Sequence, residues 1–345
     1  MAAPVERSTV ETTVTDLPTF EDVVAAAGRL QGRALVTPVL RAERFDERCG
    51  RQIFFKCENL QHIGAFKYRG AMNALLQLER LEAQQSAAGQ AVARVVATHS
   101  SGNHGAALAS AARELGWRCI VVAPEDASAV KVAAIRAQGA ELVACKPGLA
   151  ARETALAEVV ARTAAVVVHP FDDSRVIAGQ GTAALELLAL HPDLQVITAP
   201  VGGGGLLSGT ALASRSMAPH CRIVGAEPAM ADDAARSFHG GARVGMPGSP
   251  PTIADGLRGS IGVRPYALFR ENVDDVVTVS EAAIVNAMRI ALEDLRLLIE
   301  PSSAVPLAAI LEGRIGQPGE RIGVIVSGGN VDLSVCPFLA GQRTV

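Results

Sequence analysis

From Thr19 onward, short apolar runs of strand length alternate with alanine-rich stretches whose apolar residues recur at helical spacing. "ARVVATHS" (Ala93–Ser100) predicts a buried strand, and "GAALASAARELG" (Gly105–Gly116) a helix ended by its glycine. "RCIVVAP" predicts the next strand, "ASAVKVAAIRAQGA" a helix closed by Gly139, and "ELVAC" another strand. A helix from about Arg152 to Thr163 and a strand in "AAVVVHP" continue the series. The alternation resumes with "QVITAPVGGGG" and a helix, "CRIVGAEP", a long helix from about Ser280 to Leu297, and "RIGVIVSGG". Strands and helices joined by short connections in this order form parallel sheets with helices on their faces, so the fold class is α/β.

A chain of 345 residues exceeds what one apolar core usually serves, so two lobes are expected. We place a small lobe at 95–170, inserted in a large one made of 19–94 and 171–345. Residues 1–18, "MAAPVERSTVETTVTDLP", have no apolar signal core and read as a flexible lead-in. No stretch is long and apolar enough to cross a bilayer, which argues against a membrane protein. The 32 basic and 35 acidic residues give a formal charge of −3 with no basic stripe, which argues against a nucleic-acid partner. The six cysteines form no CxxC pair and no metal-ligand spacing; they read as buried thiols of a reducing compartment, the cytoplasm.

Glycines recur just after the strands, where open parallel sheets bind ligands. "PVGGGGLLSGTA" (Pro200–Ala211) follows an apolar strand and opens a helix. Gly202, Gly203, Gly204 and Gly205 free the backbone to aim successive N–H groups at one anion, aided by the helix N-terminus. A flexible turn is the alternative; four consecutive glycines in this setting favour a phosphate cradle. Neither a Walker loop nor the GxGxxG of dinucleotide-binding folds is present, which weakens a nucleotide or dehydrogenase reading. "THSSGNHGAALA" (Thr98–Ala109) offers Ser100, Ser101, Asn103 and backbone amides for a carboxylate, or simple helix capping. "VSGGNVD" (Val326–Asp332) is a third such turn. In "HIGAFKYRGA" (His62–Ala71), Lys67 stands beside Phe66 at a turn running into a helix. A lysine, a phosphate cradle, a carboxylate turn and a terminal Ser-Gly-Gly together suit an aldehyde cofactor.

"GAFKYRGA", "SSGNHG", "PVGGGG", "IADGL", "IEPSSAV" and "SGGNVDL" occur in the order found in fold-type II pyridoxal-phosphate enzymes. The chain resembles their serine/threonine dehydratase and serine racemase branch from about Thr37 to Leu333. The resemblance implies two lobes, each with a mainly parallel twisted sheet flanked by helices. It implies that Lys67 is the Schiff-base lysine, with Phe66 beside the pyridine ring and Asn103 on the 3-hydroxyl. Gly202 to Gly205 would bind the phosphate and Ser327 the ring nitrogen. Ser100, Ser101, Asn103 and His104 would surround the carboxylate of an amino-acid substrate. Ser101 resembles the serine that racemases use on the face opposite Lys67. Arg152 falls where racemases carry an arginine near the substrate, a solvent-facing helix arginine being the alternative. In "GAEPAMADDAARS", Glu227, the Ala231 carbonyl and Asp233 match a divalent-cation site, for which oxygen ligands suit Mg²⁺ or Ca²⁺; the alternative is a solvated acidic loop. A homodimer is also implied.

"HPFDD" (His169–Asp173) is closer to threonine dehydratases, and Gly259 in "LRGSIG" stands where racemases carry a serine. Both favour elimination. The short stretch after "SGGNVDL" implies no C-terminal regulatory domain and no feedback by isoleucine. The expected activity is conversion of a β-hydroxy amino acid to a 2-oxo acid and ammonia. L-Threonine and L-serine are the expected substrates; Arg152 leaves 3-hydroxyaspartate open, whose second carboxylate wants a cation. The rivals are a serine racemase, a β-replacing synthase and, from another class, a non-catalytic binder of a phosphorylated ligand.

Overall fold

A computed structural model of the chain describes residues 16–88, 93–100, 102–333, 336 and 338. Thr19 and Asp22 form a reciprocal cap at the start of the helix Phe20–Leu30, whose buried side carries Val23, Ala26 and Leu30. Strands β1 (Val39–Leu40) and β2 (Gln52–Cys57) pair antiparallel, and a tight turn then leads into the helix Lys67–Ala87.

The next four strands are β3 (Val95–His99), β4 (Arg118–Pro124), β5 (Glu141–Cys145) and β6 (Val166–Val167). They form a parallel sheet in the order β5-β4-β3-β6. The helices between them are Asn103–Leu115, Ala129–Ala137 and Leu149–Thr163. Gly116 ends the first of these in the left-handed region, with φ 70°. β6 is shorter than "AAVVVHP" predicts. It is an edge strand, and at Val168 the chain turns its carbonyl out of the sheet toward His104.

The chain continues through the helix Ser174–Leu190 into β7 (Val196–Pro200), β8 (Arg222–Pro228), β9 (Asp275–Val279) and β10 (Arg321–Val326). With β1 and β2 these make a six-stranded sheet, β1-β2-β10-β7-β8-β9, parallel except at β1. Both faces are covered, as burial of a parallel sheet demands. Phe55 and Val324 point into one apolar cluster with Phe45 and Leu307; their neighbours Phe54 and Ile325 point into another with Ile177 and Leu207. The long helix expected from Ser280 to Leu297 stops at Ile290. A π-helical turn, Ala291–Leu295, follows and ends at Arg296 with φ 61°; no glycine or proline in "ALEDLR" marks that break.

One charged network is buried between the helices and the large sheet. Arg69 donates to both oxygens of Glu58 and to Glu186, and Lys56 bonds to Glu186 and the Thr37 carbonyl. Burial works against the Glu58 carboxylate, yet the Arg69 charge and hydrogen bonds outweigh it and hold its pKa below the ordinary value. Removing Arg69 leaves the fully buried Glu58 carboxylate without its charged partner, while Glu186 keeps Lys56. Arg69→Met is expected to cost about 3–5 kcal/mol, read from denaturant unfolding, whereas a loss below about 1 kcal/mol would mark the network as no stronger than a surface pair.

Candidate active site

The carboxyl ends of β2, β3, β6, β7 and β10 each lead into a segment that meets the others. The turn after β2 holds Ile63 at φ 57° and Gly64 at φ 70°. A β-branched residue in that region costs of order 1–3 kcal/mol, so its surroundings must hold it. Asn330 Nδ2 donates to the Ile63 carbonyl at 2.8 Å, and Gly329 N–H to the Gly64 carbonyl at 2.9 Å. Phe66 N–H donates to the Ser327 carbonyl at 2.9 Å. The turn after β10 thereby fixes the residues just before Lys67.

Lys67 Nζ donates to the Pro170 carbonyl at 2.7 Å, in the segment after β6. The chain has four lysines. Lys56 is paired with Glu186, Lys131 with Asp255, and Lys146 is exposed. Lys67 is packed among protein atoms with no carboxylate bonded to it among the described residues. Burial therefore lowers its pKa to about 8, against the opposing charge of Glu300.

After β3, Ser100 Oγ accepts from Gly102 N–H at 3.3 Å. Asn103 donates to both Glu300 oxygens at 2.9 and 3.0 Å, and its Oδ1 accepts from Asn330 at 2.9 Å. His104 is buried; its Nε2 lies 3.1 Å from the Val168 carbonyl, so that nitrogen carries the proton, and Nδ1 has no partner. Burial, and next the Lys67 charge, push its pKa well below 6.5 and keep it neutral. Ser327 Oγ is 2.8 Å from Ser303 Oγ, which accepts from Gly328 N–H at 2.6 Å and donates to the Gly328 carbonyl at 2.7 Å. Ser327 is thus held by another neutral hydroxyl.

After β7, Gly204 has φ 88°, a conformation that glycine adopts without steric cost, and the helix Gly205–Met217 begins next. Among the described residues, no acceptor takes the N–H groups of Gly202, Gly203, Gly204 or Gly205. Adjacent free donors at a helix start fit an anionic phosphate. A deep amine of lowered pKa, a hydroxyl and this row of amides fit an aldehyde cofactor that carries a phosphate.

The family model described as pyridoxal-phosphate dependent enzyme matches residues 31–328. The chain belongs to that family. A curated relative, the beta-hydroxyaspartate dehydratase of Paracoccus denitrificans, is 44% identical over 322 residues, 93% of this chain and 99% of the relative. Serine racemase of Dictyostelium discoideum is 43% identical over 319 residues, 92% of this chain and 96% of the relative. The solved structure of maize serine racemase superposes with TM-score 0.87 at 39% identity, covering 93% of this chain and 96% of that one.

Lys67, Phe66, Asn103, His104, Gly202 to Gly205 and Ser327 thus lie on strand ends that meet, while Ser101 falls outside the described residues. Arg152 sits in the helix Leu149–Thr163, half-buried; among the described residues its side chain donates only to the Gly148 carbonyl, at 3.4 Å, and its charge acts after burial and His169 in lowering the His99 pKa to about 4. Glu227, Ala231 and Asp233 are fully buried, so this is not a solvated loop. Glu227 accepts from the N–H groups of Ala234 and Ala235; Asp233 Oδ2 accepts from Ile261 N–H at 2.7 Å, and Oδ1 has no partner. Burial, then the nearby Asp233 charge, pushes Glu227 well above the carboxylate range, and burial raises Asp233 to about 6. Among the described residues, no group of three or more His, Cys, Asp and Glu side chains is placed to hold a metal.

Four site residues escaped sequence reasoning. Glu300 stands in the quoted "IEPSSAV", but its burial beside Asn103 depends on contacts with residues far away in the chain. Ser303, His99 and His169 stand in the quoted "IEPSSAV", "THSSGNHGAALA" and "HPFDD", but nothing local distinguishes them from their neighbours.

In the cofactor-free protein, labelling of Lys67 by an amine reagent, followed by peptide mass spectrometry, should rise through pH about 8. Glu300→Gln removes the charge that raises this pKa, so the midpoint should fall further. A midpoint near the ordinary lysine value of about 10.4 would contradict the burial argument.

Proposed function

We propose that this protein is a pyridoxal-phosphate-dependent dehydratase that converts a β-hydroxy amino acid to a 2-oxo acid and ammonia. The observation that carries the reading is Lys67, a half-buried residue whose amine, of pKa about 8, donates to a neutral carbonyl. Lys67 would hold the aldehyde carbon, Phe66 the ring edge, Asn103 the ring hydroxyl and Ser327 the ring nitrogen. The amides of Gly202, Gly203, Gly204 and Gly205 would hold the phosphate. When bound, the cofactor supplies an electron-withdrawing ring that acidifies the α-proton of the substrate.

Ser100, Ser101 and the N-terminal amides of the helix Asn103–Leu115 receive the substrate carboxylate, favoured by the helix dipole. His104 is neutral and its protonated nitrogen is engaged, so it orients rather than donates a proton. Displaced from the aldehyde carbon by the amino group of the substrate, Lys67 Nζ would take the α-proton, its pKa near working pH suiting a base. The same ammonium passes that proton to the departing β-hydroxyl, which leaves as water. The enamine released is hydrolysed to ammonia and the 2-oxo acid. Ser327, a neutral hydroxyl, does not keep the ring nitrogen protonated, which favours prompt loss of the leaving group over a long-lived carbanion.

L-Threonine, L-serine and 3-hydroxyaspartate are the substrates proposed. Arg152 has no carboxylate partner among the described residues, and the Paracoccus relative is a hydroxyaspartate dehydratase; both favour 3-hydroxyaspartate. Serine racemisation is the second reading, favoured by the Dictyostelium relative and requiring Ser101 as the acid on the opposite face. A divalent cation, Mg²⁺ or Ca²⁺, on Glu227, the Ala231 carbonyl and Asp233 belongs to the proposal. It is supported by two buried carboxylates whose proton affinities are raised and by the unpartnered Asp233 oxygen. So do a homodimer, a cytoplasmic location suited to six buried free thiols, and a small lobe at 95–170 that contains all of β3 to β6.

The test offers each amino acid to the purified enzyme and measures 2-oxo acid, ammonia and the opposite enantiomer. Equal amounts of 2-oxo acid and ammonia are expected, abolished in Lys67→Ala; D-serine as the sole product would move the assignment to racemase. Arg152→Ala should raise KM for 3-hydroxyaspartate about ten- to a hundredfold, the worth of a charge-assisted hydrogen bond, and leave serine turnover intact. An equal loss for both substrates would remove Arg152 from the pocket. Mg²⁺ should raise the unfolding temperature at pH 8, and this gain should fade as pH falls and protons compete for the Glu227 and Asp233 carboxylates. Asp233→Asn should abolish it; no gain in the wild type would remove the cation.

A further inference from the structure

Four glycines in a row make the most flexible backbone a chain can have, yet a cradle built from amides alone works only if those amides are already aimed. Something must hold them, and the packing around Gly203 identifies it. A Cβ built on Gly203 would overlap the ring of Phe171, and one on Gly205 would lie 3.0 Å from the Phe171 carbonyl oxygen and 3.1 Å from its Cβ. At the distal edge of the ring, a Cβ on Gly259 would meet Phe171 Cε1 at 3.5 Å, ordinary contact. The ring is wedged between the two glycine segments.

The wedge is itself braced. Phe171 meets the His169 ring edge-to-face, with centroids 4.6 Å apart. His169 is fixed because its Nδ1 accepts from Asp172 N–H at 2.9 Å. The Asp172 carboxylate accepts from Val263 and Arg264 N–H at 2.9 and 3.1 Å, and the neighbouring Gly262 N–H donates to the Gly203 carbonyl at 3.1 Å. The segments 169–172 and 259–264 therefore grip the glycine loop at its side and at one carbonyl, leaving its N–H groups free.

We propose that Phe171 is a positioning residue for the phosphate end of the site, setting the aim of the amides of Gly202 to Gly205; this rests on the reading of that loop as the phosphate cradle. Gly203 is glycine in order to admit the aromatic ring. A residue that acts through the cradle must affect a ligand with a phosphate and spare one without it. Cofactor-free enzyme is titrated with pyridoxal phosphate and with pyridoxal, following visible absorbance. Phe171→Ala should weaken pyridoxal phosphate about tenfold and leave pyridoxal unchanged. Phe171→Leu, which keeps apolar bulk without a flat ring, should shift in the same direction and serves if the alanine variant does not fold. Gly203→Ala should lose pyridoxal phosphate, and Phe171→Ala in that background should restore part of the affinity by removing the overlap. Loss of both aldehydes in equal proportion, loss of neither, or no rescue in the double variant overturns the wedge. If the wild-type enzyme takes neither aldehyde, the functional reading itself fails, an outcome distinct from the others.

Discussion

Lys67 is dehydrated without being neutralised, and the rest of the site depends on that constraint. Lys56 shows the ordinary solution for a fully buried lysine, a carboxylate in direct contact. Such a contact favours the ammonium form, which is a poor nucleophile and base. Lys67 instead donates to the Pro170 carbonyl, and its nearest influential carboxylate, Glu300, is occupied by Asn103. The amine can then lose its proton near neutral pH, which is the state that can attack an aldehyde or accept an α-proton.

The fold maintains this state by bringing together segments remote in sequence. β2 delivers the turn before Lys67, β10 delivers the Ser327 and Asn330 groups that pin it, and β6 delivers the carbonyl that receives it. The strained Ile63 shows that local preference alone would not place the turn there. The same β6 segment carries Phe171 against the glycine loop after β7. One short stretch, Val168 to Asp172, therefore touches His104, Lys67, the glycine loop and the turn at Gly262, linking the small sheet to both ends of the site.

What could be read in the sequence follows the range of the physics involved. Lys67, the four glycines and Ser327 could be singled out because turn chemistry and helix starts are local, and the apolar runs quoted as strands lie on β3 to β8 and β10, whereas no quoted run marks β1, β2 or β9. Glu300 could not be weighed in the same way: its neighbours in sequence make it a helix-start residue, and only folding brings Asn103 within 2.9 Å. Phe171 stands in "HPFDD", but only the fold sets its ring against Gly203. The helix break after Ile290 has no glycine or proline to mark it, and the two-residue β6 is short because its chain turns out toward His104. At Glu227 and Asp233, sequence could offer a solvated loop or a cation site, and their burial removes the first.

The central claim is that Lys67, of the four lysines, is the one that holds the cofactor. Reducing the pyridoxal-phosphate-loaded enzyme with borohydride and mapping the modified peptide tests it most directly. The label should be confined to the peptide containing Lys67. A label on Lys131 or Lys146, or no stable label at all, would contradict the account.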